Sequence, residues 1–217
     1  MASVTIIGGH GKIALRLARQ LSDKRHKVTS WIRDPEQGPD VEEVGATAAV
    51  VDVEHLSVEQ MAEFLDGADV VVWSAGAGGG SPERTTAVDR DAAIRSMDAA
   101  LAAGVPRYVM VSYFGAGPDH GVPQDNSFFT YAQAKSDADA HLRGTSLDWT
   151  ILGPSALTDD PGTGRIETGE ALTASHVTRD DVATVAAYVV AHAVFARTTI
   201  LFNNGATPIK QALDAIV

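Results

Sequence analysis

Residues 4–14 constrain the fold of this chain more than any other segment. Residues 4–7 are Val-Thr-Ile-Ile, a β-branched run that is typical of a buried strand. Glycines follow at once, and from Ile13 onward apolar residues recur at helical spacing. A strand, a glycine turn and a helix in this order predict the opening of a dinucleotide-binding βαβ unit, with the diphosphate at the start of the helix.

The small residues of this turn follow the pattern G-x-x-G-x-x-A. Gly8 allows the tight turn, Gly11 lets the backbone approach a pyrophosphate, and Ala14 lets the helix pack closely on the strand. The spacing differs from the commoner G-x-G-x-x-G, and an ordinary βα turn is the alternative. The cofactor-binding residues predicted in this segment are Gly8, Gly9, His10, Gly11, Lys12 and Ile13.

The composition of the chain narrows its possible partners. The formal net charge of −11 disfavours binding to nucleic acid or to an anionic membrane, since both would repel it. The chain has no cysteine, which excludes disulfides and thiolate-bound metals, and no histidine spacing indicates a metal site. We expect no signal peptide and no membrane span, and therefore a cytoplasmic protein.

Strands and helices alternate along the whole sequence. This predicts an α/β fold with a Rossmann-like, doubly wound parallel sheet flanked by helices, and ligands at the carboxyl ends of the strands. We expect one domain over 1–217, with a small substrate-side region at about 153–176. Strands are predicted over 4–7, 26–32, 47–51, 70–73, 107–112, 147–152 and 198–202, and the longer helices over 13–22, 57–65, 86–103, 128–142 and 178–194.

Polar residues after the second and third strands predict an adenosine site. Arg33 follows the second strand, where an acid would bind the ribose of NAD and an arginine accommodates the 2′-phosphate of NADP. We therefore expect NADP(H) to be preferred over NAD(H), with Ser30 adding a hydrogen bond. Asp52 is placed to accept from the adenine amino group, next to Val53, although a turn-forming aspartate is the alternative.

The fourth strand is followed by Ser74, Ala75 and Gly76. Such small residues leave room for the ribose on the nicotinamide side of the cofactor. A plain flexible loop explains them equally well.

Tyr131 and Lys135 form a Y-x-x-x-K pair on the helix after the fifth strand. Positions i and i+4 share a helix face, and a nearby lysine lowers the pKa of a phenol by stabilising phenolate. Such a tyrosine can exchange a proton with a substrate during hydride transfer. The alternative is an ordinary amphipathic helix.

Together these motifs resemble the short-chain dehydrogenase/reductase superfamily, in its atypical NAD(P)H-binding branch. The resemblance implies Tyr131 as proton donor, Lys135 as its partner and ribose ligand, and Ser112 in the catalytic site. Phe114 stands where members usually carry a reacting hydroxyl. The nicotinamide carboxamide would lie along Pro154, Ser155, Ala156 and Leu157.

The leading function is an NADP(H)-dependent oxidoreductase acting on a small carbonyl, quinone or flavin-like substrate. One alternative is a non-catalytic NADP(H)-binding sensor, as in NmrA-type members of the branch. A sugar-nucleotide epimerase or dehydratase is disfavoured, because only about 153–176 is available for a substrate lobe. The predicted partner is a small-molecule substrate, and the chain is expected to be a monomer or a homodimer.

Overall fold

A nine-stranded sheet forms the centre of the computed structural model, which describes residues 1–78, 81–169 and 171–217. The strands are β1 Ser3–Ile7, β2 Lys27–Ile32, β3 Thr47–Val50, β4 Val70–Trp73, β5 Arg107–Val111, β6 Asp148–Pro154, β7 Ala156–Thr158, β8 Arg165–Thr168, β9 His176–Thr178, β10 Thr198–Asn204 and β11 Thr207–Pro208. β7 and β9 pair with each other in a separate two-stranded sheet.

The helices cover both faces of the large sheet. They are α1 Lys12–Asp23, α2 Gly38–Glu43, α3 Val58–Phe64, α4 Pro82–Thr85, α5 Ala93–Ala102, α6 Phe129–Gly144, α7 Arg179–Ala191 and α8 Ile209–Asp214. A π-helical segment, Thr86–Ala92, joins α4 to α5, and short 3₁₀ segments lie at Pro35–Gln37 and Ala193–Phe195. In the part of the chain described here, no helix is long and apolar enough to cross a membrane.

The strand order places the ligand-binding edge between β1 and β4. The sheet runs β11-β8-β10-β6-β5-β4-β1-β2-β3, and all pairings from β3 to β10 are parallel. The chain direction across the sheet reverses between β1 and β4, and in doubly wound sheets ligands bind in the crevice at that point. The predicted fold class is confirmed, with the addition that β8 joins the edge antiparallel to β10 and β11.

Hydrophobic burial holds the helices on the two faces. Leu17 and Leu21 of α1 are fully buried on one face beside α7, where the apolar spacing of α1 predicted a packed stripe. On the other face α3 and α5 pack together, and Met61 and Met97 are fully buried there. β4 is buried along its whole length, as expected for a parallel strand covered by helices on both sides.

Two predicted helices differ from those observed. The helix predicted over 86–103 begins at Pro82, because the Ser81 hydroxyl accepts a hydrogen bond from the Arg84 amide and caps it. It also contains the π-helical turn, which no periodicity indicated. α7 ends at Ala191 rather than near 194, because His192 leaves the helical conformation at φ −128° and ψ 107°.

Candidate functional site

The glycine turn after β1 is tightly packed against the neighbouring strands. Gly8 has φ +82°, and a Cβ there would lie 2.5 Å from the Ala75 Cα. A Cβ at Gly9 would lie 2.4 Å from the Ser30 Cβ. Both glycines are therefore required for close packing of this turn, Gly8 against the segment that follows β4 and Gly9 against β2 itself.

Gly11 differs from these two glycines because it lies at the open start of α1. It is the N-cap residue of the helix and no side chain caps that end, so the first-turn N–H groups stay available to a ligand. A Cβ at Gly11 would meet the Gly8 carbonyl oxygen at 3.2 Å, a tight contact that a small shift relieves. Its lack of a side chain keeps the helix terminus accessible to an anion.

A first cavity of about 490 Å³ opens in front of this turn. It lies at the carboxyl ends of β1 to β4 and brings together most of the predicted adenosine and phosphate residues. The predicted cofactor residues that line it are Gly8, His10, Gly11, Arg33, Asp52, Val53, Ser74, Ala75 and Gly76.

Three charged side chains cluster on one wall of this cavity. The guanidinium of Arg84 donates to the Glu54 carboxylate at 2.6 and 3.0 Å, and Arg33 lies 4.0 Å from the same carboxylate. The side chain of Arg33 is 60% exposed, so its guanidinium is available to a ligand. Glu54 and Arg84 were missed by the sequence analysis, because the contact between them spans thirty positions along the chain.

Asp52 is held in a turn at the rim of the first cavity. Its carboxylate accepts a hydrogen bond from the Glu54 amide at 3.1 Å and lies 2.9 Å from the His55 ring. Partial burial favours the neutral form, but the hydrogen bonds from His55 and the Glu54 amide outweigh it and lower the pKa of Asp52. Asp52 therefore forms a turn, which was the alternative to an adenine contact, and it also lines the first cavity.

Several predicted cofactor residues lie away from the cavities. Lys12 pairs with Asp159 at 2.7 Å on the surface. The Ser155 hydroxyl is buried and bonds to Asn203. Ser30, expected to add a hydrogen bond to the cofactor, is fully buried under Gly9, and its hydroxyl has no hydrogen-bond partner among the described residues. Gly9, Pro154 and Ala156 also line neither cavity.

A second cavity of about 730 Å³ adjoins the first and shares residues 74–78 with it. It contains the three predicted catalytic residues, Ser112, Tyr131 and Lys135, together with the predicted cofactor residues Ile13 and Leu157. Other lining residues are Pro82, Thr85, Asp89, Val111, Ser127, Phe128 and Thr130. Phe114, at the position of the usual reacting hydroxyl, is not among them.

Lys135 is anchored to the backbone rather than to Tyr131. Its ammonium donates to the Val111 carbonyl at 2.9 Å and lies 3.3 Å from the Met110 sulfur. Burial raises the pKa of Tyr131 above its ordinary value, and the nearby Asp89 carboxylate adds to the effect. The prediction that Lys135 lowers this pKa is therefore wrong for this structure, because desolvation of the phenol dominates.

Two buried carboxyl groups flank Lys135. Asp139, one helical turn further along α6, accepts from the Ser112 hydroxyl at 2.6 Å, and Asp89 on the π-helical segment accepts from the Ala77 amide at 3.0 Å. Burial raises the pKa of both carboxyl groups, and Lys135 opposes that shift. Burial likewise lowers the pKa of Lys135, against the attraction of the two carboxyl groups.

The sequence contained only a partial signal for this cluster. Asp139 follows Lys135 by four positions, so the two were predictable as neighbours on one helix face. Asp89 lies on another helix and had no such signal. We call Asp89, Lys135 and Asp139 the buried charge cluster.

Known proteins similar to this chain include an NAD(P)H-binding family and full-length relatives. A family described as NAD(P)H-binding matches residues 8–193. The chain is 32% identical to the UPF0659 protein C216.03 of Schizosaccharomyces pombe, over 100% of this chain and 96% of that protein.

Two solved structures are also similar over nearly the whole chain. A putative NAD-dependent epimerase/dehydratase from Bacillus halodurans is 30% identical with a TM-score of 0.91, covering 99% of this chain and 100% of that one. The oxidoreductase ylbE from Lactococcus lactis is 31% identical with a TM-score of 0.88, covering 99% of this chain and 96% of that one.

Proposed function

This chain belongs to the NAD(P)H-binding family, within the atypical short-chain dehydrogenases/reductases, and from that premise we propose that it is an NADP(H)-dependent oxidoreductase. Its substrate is a small carbonyl, quinone or flavin-like compound that exchanges hydride with the cofactor. The observation that carries the proposal is the junction of two cavities along residues 74–78. One cavity has the features of a dinucleotide site, and the other holds Tyr131, Lys135 and Ser112.

The first cavity fits a dinucleotide on structural grounds. The N-terminus of α1 is uncapped, and Gly11 leaves it open to a diphosphate. The exposed guanidinium of Arg33 fits a 2′-phosphate, since an arginine forms charge-assisted hydrogen bonds to phosphate. We propose that Asp52 and Val53 complete the adenosine end of the site.

A bound nicotinamide dinucleotide supplies or accepts the hydride in this chemistry. Tyr131 is the side chain proposed to give its phenolic proton to the substrate oxygen. The phenol carries its proton at neutral pH, as a proton donor must, and its raised pKa makes it a weaker acid than an ordinary tyrosine. Lys135 acts as a positioning residue, because its bond to the Val111 carbonyl fixes α6 against β5.

A non-catalytic NADP(H)-binding sensor is the second candidate. It is favoured by the hydrogen bonds of the second cavity, where Lys135 donates to backbone and the Ser112 hydroxyl donates to Asp139. Neither side chain bonds to Tyr131 in this structure, so the phenol lacks the partners that usually activate it.

Steady-state oxidation of NADPH with a panel of small aldehydes and quinones tests the proposal. We expect Tyr131→Phe to lower turnover by about 10²–10⁴-fold, because it removes general acid catalysis, with NADPH affinity unchanged. Tyr188→Phe is the matched control, since Tyr188 is half-buried on α7 and lines neither cavity. NADPH binding without reduction of any acceptor would favour the sensor, and parental turnover by Tyr131→Phe would remove the phenol from the mechanism.

A further inference from the structure

We propose that the second cavity selects uncharged, largely apolar ring compounds and excludes anionic ones. The inference rests on the proposed function, since this cavity receives the substrate only if the first one receives the dinucleotide. Three observations support the inference: the cavity wall has no accessible cation, the accessible cations line the first cavity, and the mouth of the second cavity is apolar.

The wall of the second cavity offers no free positive charge among the residues that the structure describes around it. Its charged lining residues are Asp89 and Lys135, which are 2% and 1% exposed. The Lys135 ammonium is already bonded to the Val111 carbonyl, and the Asp139 carboxyl lies behind it, one helical turn away. The ammonium is thus enclosed by a backbone carbonyl and two carboxyl groups, and it is not accessible to a ligand in the cavity.

The accessible cations lie on the other side of residues 74–78. Arg33 and Arg84 line the first cavity, where they share a single carboxylate, that of Glu54. The uncapped start of α1 lies at the same cavity and adds a further site for negative charge. Phosphate groups are therefore stabilised in the first cavity only.

The mouth of the second cavity exposes large apolar side chains. Phe128 is 42% exposed and Leu157 is 38% exposed, although both line the cavity. The Phe128 ring lies 5.1 Å from that of Tyr131 and 5.4 Å from that of Tyr113, measured between centroids. A cavity lined by aromatic and aliphatic groups gains most from an apolar ligand that covers them.

An anionic group would be poorly stabilised in this setting. A carboxylate or phosphate that enters the cavity loses water, and it finds no accessible cation to replace that water. A neutral carbonyl requires only a hydrogen bond, which the hydroxyl groups of Thr130 and Tyr131 can donate at the cavity wall. Sugar nucleotides, which carry a diphosphate, are excluded from the second cavity by the same reasoning.

A matched pair of ligands tests this charge selection directly. Methyl 4-formylbenzoate and 4-formylbenzoate share the same aromatic aldehyde and differ by one negative charge. In calorimetric titrations of the complex with 1,4,5,6-tetrahydro-NADP, an NADPH analogue that cannot transfer hydride, we expect the ester to bind at least about tenfold more tightly than the carboxylate. The reason is that the carboxylate loses water and gains no cation in return. The same preference is expected in kcat/KM for NADPH oxidation.

Charge insertion at the rim separates electrostatic selection from shape selection. Ser127 is exposed and lines the cavity, so Ser127→Arg places a cation there without disturbing the core. This variant should narrow the preference for the ester by several-fold, by improving binding of the carboxylate. Ser146→Arg adds the same charge at an exposed position outside the cavity lining and should leave the preference unchanged.

The possible outcomes distinguish this inference from the proposed function. Selective binding of the ester without reduction would support the charge selection and count against the oxidoreductase. Reduction of both aldehydes with equal kcat/KM would support the oxidoreductase and overturn the charge selection. Equal affinity for the two ligands, or binding of neither, would also overturn it.

Discussion

Arg33 presents a half-exposed guanidinium at the mouth of the first cavity, within 4.0 Å of the Glu54 carboxylate. We expect Arg33→Ala to weaken NADPH binding by about tenfold or more, because charge-assisted contacts to phosphate are strong. NADH has no 2′-phosphate, so its affinity should change little. Calorimetric titration with both cofactors measures this, with Arg19→Ala on the exposed side of α1 as control. An equal loss for both cofactors would contradict the assignment.

Gly9 and Gly11 are neighbours in the turn but differ in what limits their size. We expect Gly9→Ala to lower the free energy of unfolding by about 1–3 kcal/mol, since its Cβ overlaps Ser30 and overpacking has this cost. Gly11→Ala should keep the fold nearly intact, since its closest contact is 3.2 Å, and should weaken dinucleotide binding. Urea denaturation and cofactor titration on the same samples separate the two effects.

At the residue scale, the sequence predicted side chains that follow strands and missed those brought in from helices. Arg33 and Ser74 come directly after β2 and β4, and Asp52 lies two residues after β3, so the topology alone places them at one edge. Arg84 and Asp89 reach the cavities from the α4 helix and the π-helical segment after it, at positions fixed by packing. No local pattern encodes such packing.

At the scale of elements, helix α6 carries two members of the buried charge cluster. Burial raises the pKa of Asp139 in the folded state, so the folded chain keeps a proton that the unfolded chain releases. Stability contributed by this group therefore falls as pH rises above the ordinary aspartate pKa of about 3.9.

We expect the Asp139→Asn variant to lack this dependence. The stability of the parent relative to the variant should fall as pH rises from about 4 to 7, because only the parent carries the buried Asp139 carboxyl group. Urea denaturation of both proteins across this range measures the difference. A difference that stays constant with pH would show that Asp139 does not titrate differently in the folded state.

Element order was more predictable than element detail. Alternating strands and helices determine a doubly wound sheet, and hydrophobic runs such as that of β4 mark the covered strands. The π-helical turn could not be predicted, because its seven residues are too few for apolar spacing to distinguish a π-helix from an α-helix. That turn carries Asp89, so an unpredicted backbone detail brings a carboxyl group to the second cavity.

At the scale of the whole molecule, cofactor binding and folding are linked. A ligand that binds only the folded state stabilises it by about 2.7 kcal/mol at a concentration one hundred times its Kd. For a chain of 217 residues, this corresponds to a rise in Tm of about 5–10 °C.

Differential scanning fluorimetry with NADPH measures this shift. At the same concentration NADH should raise the Tm less than NADPH does, because it lacks the phosphate that Arg33 is proposed to bind. Identical shifts for the two cofactors would count against a preference for NADP(H).

The strip shared by the two cavities consists of Ser74, Ala75, Gly76, Ala77 and Gly78. Backbone and short side chains form this boundary. Substitutions at the rim residues Ser127 and Phe128 touch the second cavity alone. Variants of this rim can therefore be screened for reduction of new substrates, while their cofactor preference stays that of the parent protein.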